Sequence, residues 1–122
     1  MAIPHLGITG KKGEDLAREY LEGIGLKFIE ANARVPGGEL DLVMHDSEKN
    51  EYVFVEVKTR TNTKFGEPIA SITPNKQHIL KRSILMYMQN FPWQTQYRLD
   101  LVAIMLTTGE SKIEHLKYIT LT

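Results

Sequence analysis

Two carboxylates and a lysine at a regular spacing are the strongest chemical feature of this chain. Glu56 and Lys58 lie two residues apart in the apolar stretch 53–58, and Asp41 lies in a second short apolar stretch before it. Side chains alternate across a strand, so Glu56 and Lys58 share one face while the valines between them face a core. Charges in so apolar a strand are costly to bury unless they are paired or bound to a metal. An acid on one strand, followed by acid-x-lysine on the next, is the spacing that a metal-dependent nuclease uses.

Phosphodiester hydrolysis requires a divalent cation that polarises the phosphoryl oxygens and acidifies a water, together with cationic groups that hold the backbone. Magnesium prefers hard oxygen ligands and often binds through one or two carboxylates plus water and substrate. We therefore expect Asp41 and Glu56 to hold Mg²⁺ or Mn²⁺, with the carbonyl of Val57 as a further ligand. Lys58, beside the metal, would orient the attacking water or stabilise the developing charge.

Glu14 is a fourth candidate for the catalytic set. It lies in line with the apolar stripe of a predicted helix, which puts it at the edge of the core-facing side. The alternative is that an acid in the first turn simply stabilises the helix dipole. Lys11 and Lys12 oppose that dipole, and a bound phosphate would reverse the penalty, although a solvated pair of lysines is the simpler interpretation.

The elements that must position these residues follow in the order α-β-β-β-α-β-β. The sequence predicts a helix at 11–25, strands at 26–34, 40–44 and 52–59, a helix from 74 to the Phe91-Pro92 pair, and strands at 97–106 and 113–121. The first helix has its apolar stripe at Leu16, Ala17, Tyr20, Leu21 and Ile24 and closes on Gly25. Thr73 would cap the second helix ahead of Pro74. The long crossover between strands three and four favours a parallel pair, and hence an α/β fold with a central mixed sheet flanked by helices.

Composition and charge narrow the class of protein. A chain of 122 residues fits a single domain spanning 1–122, and the absence of cysteine excludes disulfides, thiolate zinc sites and cysteine nucleophiles. The longest apolar run, 101–106, is far too short to cross a bilayer, so we expect no membrane partner and a cytoplasmic location. The net charge of zero argues against indiscriminate nucleic-acid binding.

The distribution of charge is more informative than its sum. Residues 39–51 carry five acids against one base, and residues 58–82 carry six bases against one acid. An acidic spot beside a basic stretch suits a site that holds a divalent cation and a polyanion together. Ordinary surface patterning is the alternative interpretation.

Several other residues are interpreted as structural. Asp100, in an apolar strand, is expected to pair with Arg98 or Arg82. Trp93 is expected to be a packing anchor rather than a platform for stacking bases. The four histidines lack metal-ligand spacing and are expected on the surface; they are His5, His45, His78 and His115.

The motifs together resemble those of a known family. Residues 13–17 (GEDLA), 32–43 (NARVPGGELDLV) and 53–60 (VFVEVKTR) resemble the YraN family of bacterial proteins, over most of the chain. That family is similar in pattern to archaeal Holliday junction resolvases and to the PD-(D/E)xK, restriction-endonuclease-like superfamily. The resemblance implies a restriction-endonuclease-like fold in which Asp41, Glu56 and Lys58 take the signature positions and Glu14 is the helix acid of the resolvases. Leu40 stands where the superfamily name has a proline.

The resemblance also implies an activity and partners. The expected function is a metal-dependent endonuclease acting on DNA, with branched or recombination intermediates as candidate substrates and a two-fold homodimer as a candidate assembly. The residues expected to bind nucleic acid are Lys11, Lys12, Arg34, Arg60, Lys64 and Lys76. The alternatives are a non-catalytic nucleic-acid-binding or adaptor protein on the same fold, and a protein-interaction module whose carboxylates form only structural ion pairs.

Overall fold

The computed structural model describes residues 6–61 and 66–121. Its elements are α1 (Leu6–Gly23), β1 (Lys27–Val35), β2 (Gly38–Asp46), β3 (Glu51–Arg60), a 3-10 turn (Pro68–Ser71), α2 (Pro74–Met88), β4 (Gln96–Thr107) and β5 (Glu110–Leu116). The predicted order α-β-β-β-α-β-β is confirmed. None of these helices is long and apolar enough to cross a membrane, within the residues that the structure describes.

The five strands form one mixed sheet in the order β1-β2-β3-β4-β5. Every neighbouring pair is antiparallel except β3 and β4, which run parallel from Glu51↔Gln96 to Arg60↔Met105. The parallel pair follows from the long crossover that carries α2, as the sequence predicts. This topology is consistent with a restriction-endonuclease-like α/β fold.

Each face of the sheet is covered by one helix. Ala17 and Leu21 of α1 are fully buried in a cluster that includes Val55, whereas Ile84 of α2 packs in a second cluster with Phe54. Strand β3 is therefore buried on both faces, which explains its nearly continuous apolar sequence. Full burial of each large apolar side chain stabilises the fold by roughly 1.5–3 kcal/mol, so β3 is held firmly between the two layers.

The predicted helices are confirmed, with changes at their ends. Helix α1 starts five residues earlier than predicted and stops at Gly23, with Gly25 following in a left-handed conformation at φ 101°. Ile24, expected in the buried stripe, lies beyond the helix and is 47% exposed, so that part of the prediction was wrong. Thr73 caps α2, since its hydroxyl accepts a hydrogen bond from the backbone N–H of Lys76 at 3.2 Å.

A buried ion-pair network occupies the end of the sheet where β3 and β4 begin. Asp100 is fully buried, and Nε of Arg98 donates to both of its carboxylate oxygens at 3.1 and 3.2 Å, which confirms the expected pairing. His115 lies 2.8 Å from Asp100 with its side chain only 5% exposed, so its predicted surface location was wrong. Arg98 also contacts Asp46 at 3.1 Å and Glu51 at 2.6 Å.

The tail that follows β5 is tied to the same network. Strand β5 ends at Leu116, before the predicted end at 121. The backbone N–H of Tyr118 donates to Asp100 at 3.1 Å, and that of Ile119 donates to the carbonyl of Leu99 at 2.7 Å. These contacts hold the tail against β4 without extending the β4–β5 ladder.

Other predictions about single residues meet different outcomes. Trp93 is 89% exposed, so it is not the expected packing anchor. Phe91 packs instead, with its ring centroid 4.9 Å from that of Tyr52. His78 is exposed as predicted, His45 is half-buried, and His5 lies outside the described residues.

Candidate active site

The candidate site lies where β2 separates from β3. Their antiparallel ladder runs from Asp46↔Glu51 to Leu42↔Val55 and stops there, although β2 continues alongside β1 and β3 continues alongside β4. Asp41 and Glu56 are the next residues on the two strands. Strand separation leaves room for two side chains between the backbones of β2 and β3, while β1–β2 and β3–β4 remain paired on either side.

Asp41 replaces the missing backbone partner of β3. Its Oδ2 accepts a hydrogen bond from the backbone N–H of Val57 at 2.9 Å. In a strand, the N–H and C=O of one residue point toward the same neighbour, so the carbonyl of Val57 lies on the side of Asp41. The structure thus brings together the three groups that the sequence predicts as metal ligands.

The alternation of β2 is interrupted at Asp41. Leu40 and Leu42, two residues apart, pack in different core clusters, one on the α2 side and one on the α1 side. Regular alternation would put both on one face. The interruption lets the carboxylate of Asp41 point along the sheet toward Glu56 instead of into either core layer.

Glu56 is a partly buried acid with an unusual proton affinity. Burial, and then the negative charge of Asp41, raise its pKa from the ordinary 4.5 to about 7. Burial also raises the pKa of Asp41, while hydrogen bonds from the Val57 N–H and from Glu56 oppose that rise. The pKa of each carboxyl group thus depends on the other, and Glu56, when it is protonated, is the donor of the pair.

Lys76 supplies the cation that contacts this pair. Its Nζ lies 3.1 Å from Oε1 of Glu56, with the two side chains 39% and 14% exposed. The ammonium lowers the pKa of both carboxyl groups and so opposes the effect of burial. Lys76 lies in the first turn of α2, where the Thr73 cap and Pro74 fix the start of the helix. The N-terminus of α2 is thereby placed above the carboxylate pair.

Glu14 approaches the pair from α1. Burial, followed by the negative charge of Asp41, raises the pKa of Glu14, which places the two acids within electrostatic reach. The close approach depends on Gly13, because a Cβ at that position would lie 1.8 Å from Oγ1 of Thr59 on β3. A glycine here lets α1 rest directly on the strand that carries Glu56 and Lys58.

Asn32 belongs to the site but was missed by the sequence analysis. Ala31 and Ala33 pair with Leu42 and Leu40, so Asn32 lies across from Asp41. With its amide nitrogen facing the acids, it lies 3.2 Å from Oε1 of Glu14 and 3.1 Å from Oε1 of Glu39. The signal available in the sequence was weak: an asparagine inside a predicted strand, where that residue is disfavoured.

The chain matches the uncharacterised protein family UPF0102 over residues 13–104. It is 41% identical over 108 residues to a UPF0102 protein of Syntrophomonas wolfei, covering 88% of this chain and 92% of the relative. The chain belongs to the UPF0102 family. The chain is also similar to a UPF0102 protein of Dehalococcoides mccartyi, with 40% identity over 114 residues and 89% of each chain covered. A UPF0102 protein of Alkalilimnicola ehrlichii is 48% identical over 86 residues, which cover 70% of this chain and 66% of the relative. The YraN resemblance is therefore confirmed, because UPF0102 is that family.

The basic residues predicted to bind nucleic acid are spread unevenly around the UPF0102 site. Lys11, Lys12 and Arg34 are exposed, as is Lys58 on the face of β3 that Glu56 shares. Lys64 lies outside the described residues.

Arg60 has a different environment from the other predicted basic residues. It is only 8% exposed, and its guanidinium donates to the backbone carbonyls of Gly66 and Glu67. In this structure Arg60 therefore holds the segment after β3 instead of presenting its charge to a ligand.

The donor set of the UPF0102 site fits magnesium in a limited way. Within residues 6–61 and 66–121, no group of three or more His, Asp or Glu side chains is arranged to hold a metal ion. Magnesium needs fewer protein ligands, since it commonly uses one or two carboxylates and completes its shell with water and phosphate oxygens. Asp41 and Glu56 supply two carboxylates and Val57 a carbonyl, which fits such a shell and does not fit an all-protein cage.

Proposed function

We propose that this UPF0102 protein is a metal-dependent endonuclease that hydrolyses phosphodiester bonds in DNA, with branched DNA as the candidate substrate. The observation that supports the proposal is the meeting of Asp41 and Glu56 at the point where β2 leaves β3, with Glu14 facing them from α1. Three acids gathered where two strands of the sheet separate, beside exposed lysines, suit a divalent cation and a polyanion.

The chemistry divides among the residues of the site. Asp41, Glu56 and the carbonyl of Val57 would hold Mg²⁺ or Mn²⁺. The ion, when bound, polarises the phosphoryl group and lowers the pKa of a coordinated water. Lys58 is exposed on the same strand face, where its ammonium can orient the attacking water or stabilise charge on the phosphate. Lys76 can hold a phosphate oxygen once Glu56 binds the cation.

The backbone of the substrate would contact the second turn of α1. Lys11 and Lys12 are exposed there and precede Glu14 by one turn or less. Phosphate contacts of this kind add affinity that falls with salt and carry no sequence information. That arrangement suits an enzyme that recognises DNA shape, and a two-fold dimer would present two such sites to a four-way junction.

A cleavage assay tests the proposal. Purified protein is incubated with linear, flapped and four-way DNA in Mg²⁺, in Mn²⁺ and in EDTA. Cleavage should require the metal and should be lost in an Asp41→Asn/Glu56→Gln double variant, while Glu114→Gln, on the exposed face of β5, should cut like the wild type. Equal cleavage by the double variant would identify a contaminating nuclease and contradict the proposal. Sedimentation of the same samples tests the dimer.

A second candidate is a nucleic-acid-binding protein without catalysis. The contact between Lys76 and Glu56 favours it, because an ammonium ion already neutralises one of the two carboxylates. This function predicts salt-dependent DNA binding that persists in EDTA and is unaffected by Lys58→Ala. Calorimetric titration with Mn²⁺ separates the two candidates: binding that is lost in Glu56→Gln supports the nuclease.

A further inference from the structure

Asn32 connects two acids that come from different elements. Its amide nitrogen lies 3.2 Å from Glu14, on α1, and 3.1 Å from Glu39, on β2. Both neighbours are acceptors, so the amide can only face them with its NH₂ group. An NH₂ group has two hydrogens, which is one for each carboxylate.

The backbone of Asn32 is suited to this position and its side chain is not used for packing. Its φ of 52° lies in the left-handed region, which asparagine tolerates better than most residues. The side chain is exposed and lines a cleft of about 400 Å³ between α1 and β1, together with Lys11 and Glu14. A residue exposed in this way contributes little to the core, so packing of the interior does not explain its contacts with the acids.

The charges of the site explain what an amide does there. Four acids gather at the site. Burial raises the pKa of Glu14, and the charges of Asp41 and Glu39 raise it further; burial also raises the pKa of Asp41, and the charge of Glu39 adds to that rise. Asp41 is held by a backbone N–H and Glu56 by the ammonium of Lys76. An ammonium cancels one negative charge, whereas an amide orients two carboxylates and leaves their charge available to a cation.

We infer that Asn32 is a positioning residue that holds Glu14 and Glu39 toward the Asp41–Glu56 pair, so that a divalent cation bound by that pair is also attracted by two further oriented acids. This inference rests on the proposed function for its metal. Asn32 itself touches neither the cation nor the substrate; it acts through the acids, as residues around metal ligands commonly do.

The first experiment distinguishes the effect of the Asn32 side-chain amide from the effect of its left-handed backbone conformation. Asn32→Gly keeps the left-handed conformation and removes the amide, so the variant should still unfold cooperatively and should bind Mn²⁺ roughly tenfold more weakly, the lower end of the loss seen for residues that support ligands. In a Glu14→Gln/Glu39→Gln background, the same substitution should have no further effect. Wild-type affinity in Asn32→Gly, or an equal loss in the two backgrounds, would overturn the inference.

A second measurement detects the contacts of the Asn32 amide with Glu14 and Glu39 in the absence of metal. In an ¹H–¹⁵N spectrum, the side-chain amide signals of Asn32 should lie apart from those of the exposed Asn75 and Asn90, and should move toward them in Glu14→Gln/Glu39→Gln. Signals that coincide with the exposed amides in the wild type would overturn the inference even if metal binds. A wild type that binds no Mn²⁺ but shows the displaced signals would contradict the proposed function and the metal-attracting role together, while leaving the amide–acid contacts in place.

Discussion

Replacement of Glu56 by glutamine should stabilise the metal-free protein at alkaline pH. Burial and the charge of Asp41 raise the pKa of Glu56 from 4.5 to about 7, and its side chain is only 14% exposed, so solvent screens the effect little. A tenfold change in a protonation constant corresponds to about 1.4 kcal/mol. The difference between 4.5 and about 7 therefore corresponds to roughly 3 kcal/mol. The contact with Lys76 is already included, because it acts to lower this pKa.

The free energy of unfolding of the wild type falls with rising pH because folding raises the pKa of Glu56. The folded protein binds the proton of Glu56 more tightly than the unfolded chain does, so the stability contribution is fully present below pH 4.5 and is lost as the pH rises through about 7. Glutamine never ionises, and its NH₂ group can donate to Asp41 as the protonated acid does. The stability advantage of Glu56→Gln should be smallest near pH 4.5 and reach roughly 3 kcal/mol by pH 8.

Urea unfolding between pH 4.5 and 8.5, in EDTA, measures this difference. Glu114→Gln removes an acid from the exposed part of β5 and is the matched control, which should follow the wild-type curve. A Glu56→Gln variant that is no more stable than the wild type at pH 8 would refute the reasoning. A stability difference that does not change with pH would also refute it, since that result would trace the effect to packing and not to ionisation.

Three further predictions concern folding and use the same unfolding measurement. Gly13→Ala should destabilise the protein by about 1–3 kcal/mol, because its Cβ would lie 1.8 Å from Oγ1 of Thr59, and Thr59→Ala in the same chain should restore part of the loss. Arg98→Met should cost about 3–5 kcal/mol, because it leaves the fully buried Asp100 without its guanidinium, and a loss below 1 kcal/mol would contradict the network. Trp93→Ser should change stability by less than about 0.5 kcal/mol, since the side chain is 89% exposed.

The sequence predicted those features of the fold that depend on local pattern. The apolar run of β3 indicated a buried strand, and the length of the crossover before Gln96 indicated a parallel neighbour; both are confirmed. Thr73 and Pro74 marked the start of α2 because capping chemistry is local. The proximity of Asp41 and Glu56 followed from the pairing of adjacent strands.

Features that depend on register or on long-range packing could not be predicted. The location of His115 depends on its pairing with Val102, which turns its ring toward Asp100. Trp93 looked like an anchor because large aromatic residues are usually buried, but in the loop after α2 it is the half-buried Phe91 that packs, against Tyr52. The role of Asn32 depends on a left-handed backbone and on two carboxylates from separate elements, neither of which a linear pattern encodes.

Arg60 has an environment that its place in the motif does not reveal. It follows the signature lysine, and a basic residue next to a predicted nuclease site suggests contact with phosphate. In the fold, β3 continues to pair with β4 as far as Arg60, which carries its side chain into the protein, where backbone carbonyls accept its hydrogen bonds. A substitution of Arg60 that reduces DNA binding would therefore have to be separated from its effect on the segment after β3.

The site depends on an imbalance between acids and the groups that neutralise them. Folding brings Glu14, Glu39, Asp41 and Glu56 together, and among the residues that the structure describes at this site only Lys76 forms an ion pair with one of them. The other contacts are neutral donors, a backbone N–H and an amide, which hold the acids without removing their charge. Burial, together with the charges of the neighbouring acids, raises the pKa values of Glu14, Asp41 and Glu56, and both effects oppose folding with the acids ionised. A divalent cation would relieve this repulsion. The negative charge of the site is therefore a stronger argument for a bound cation than the small number of its protein ligands.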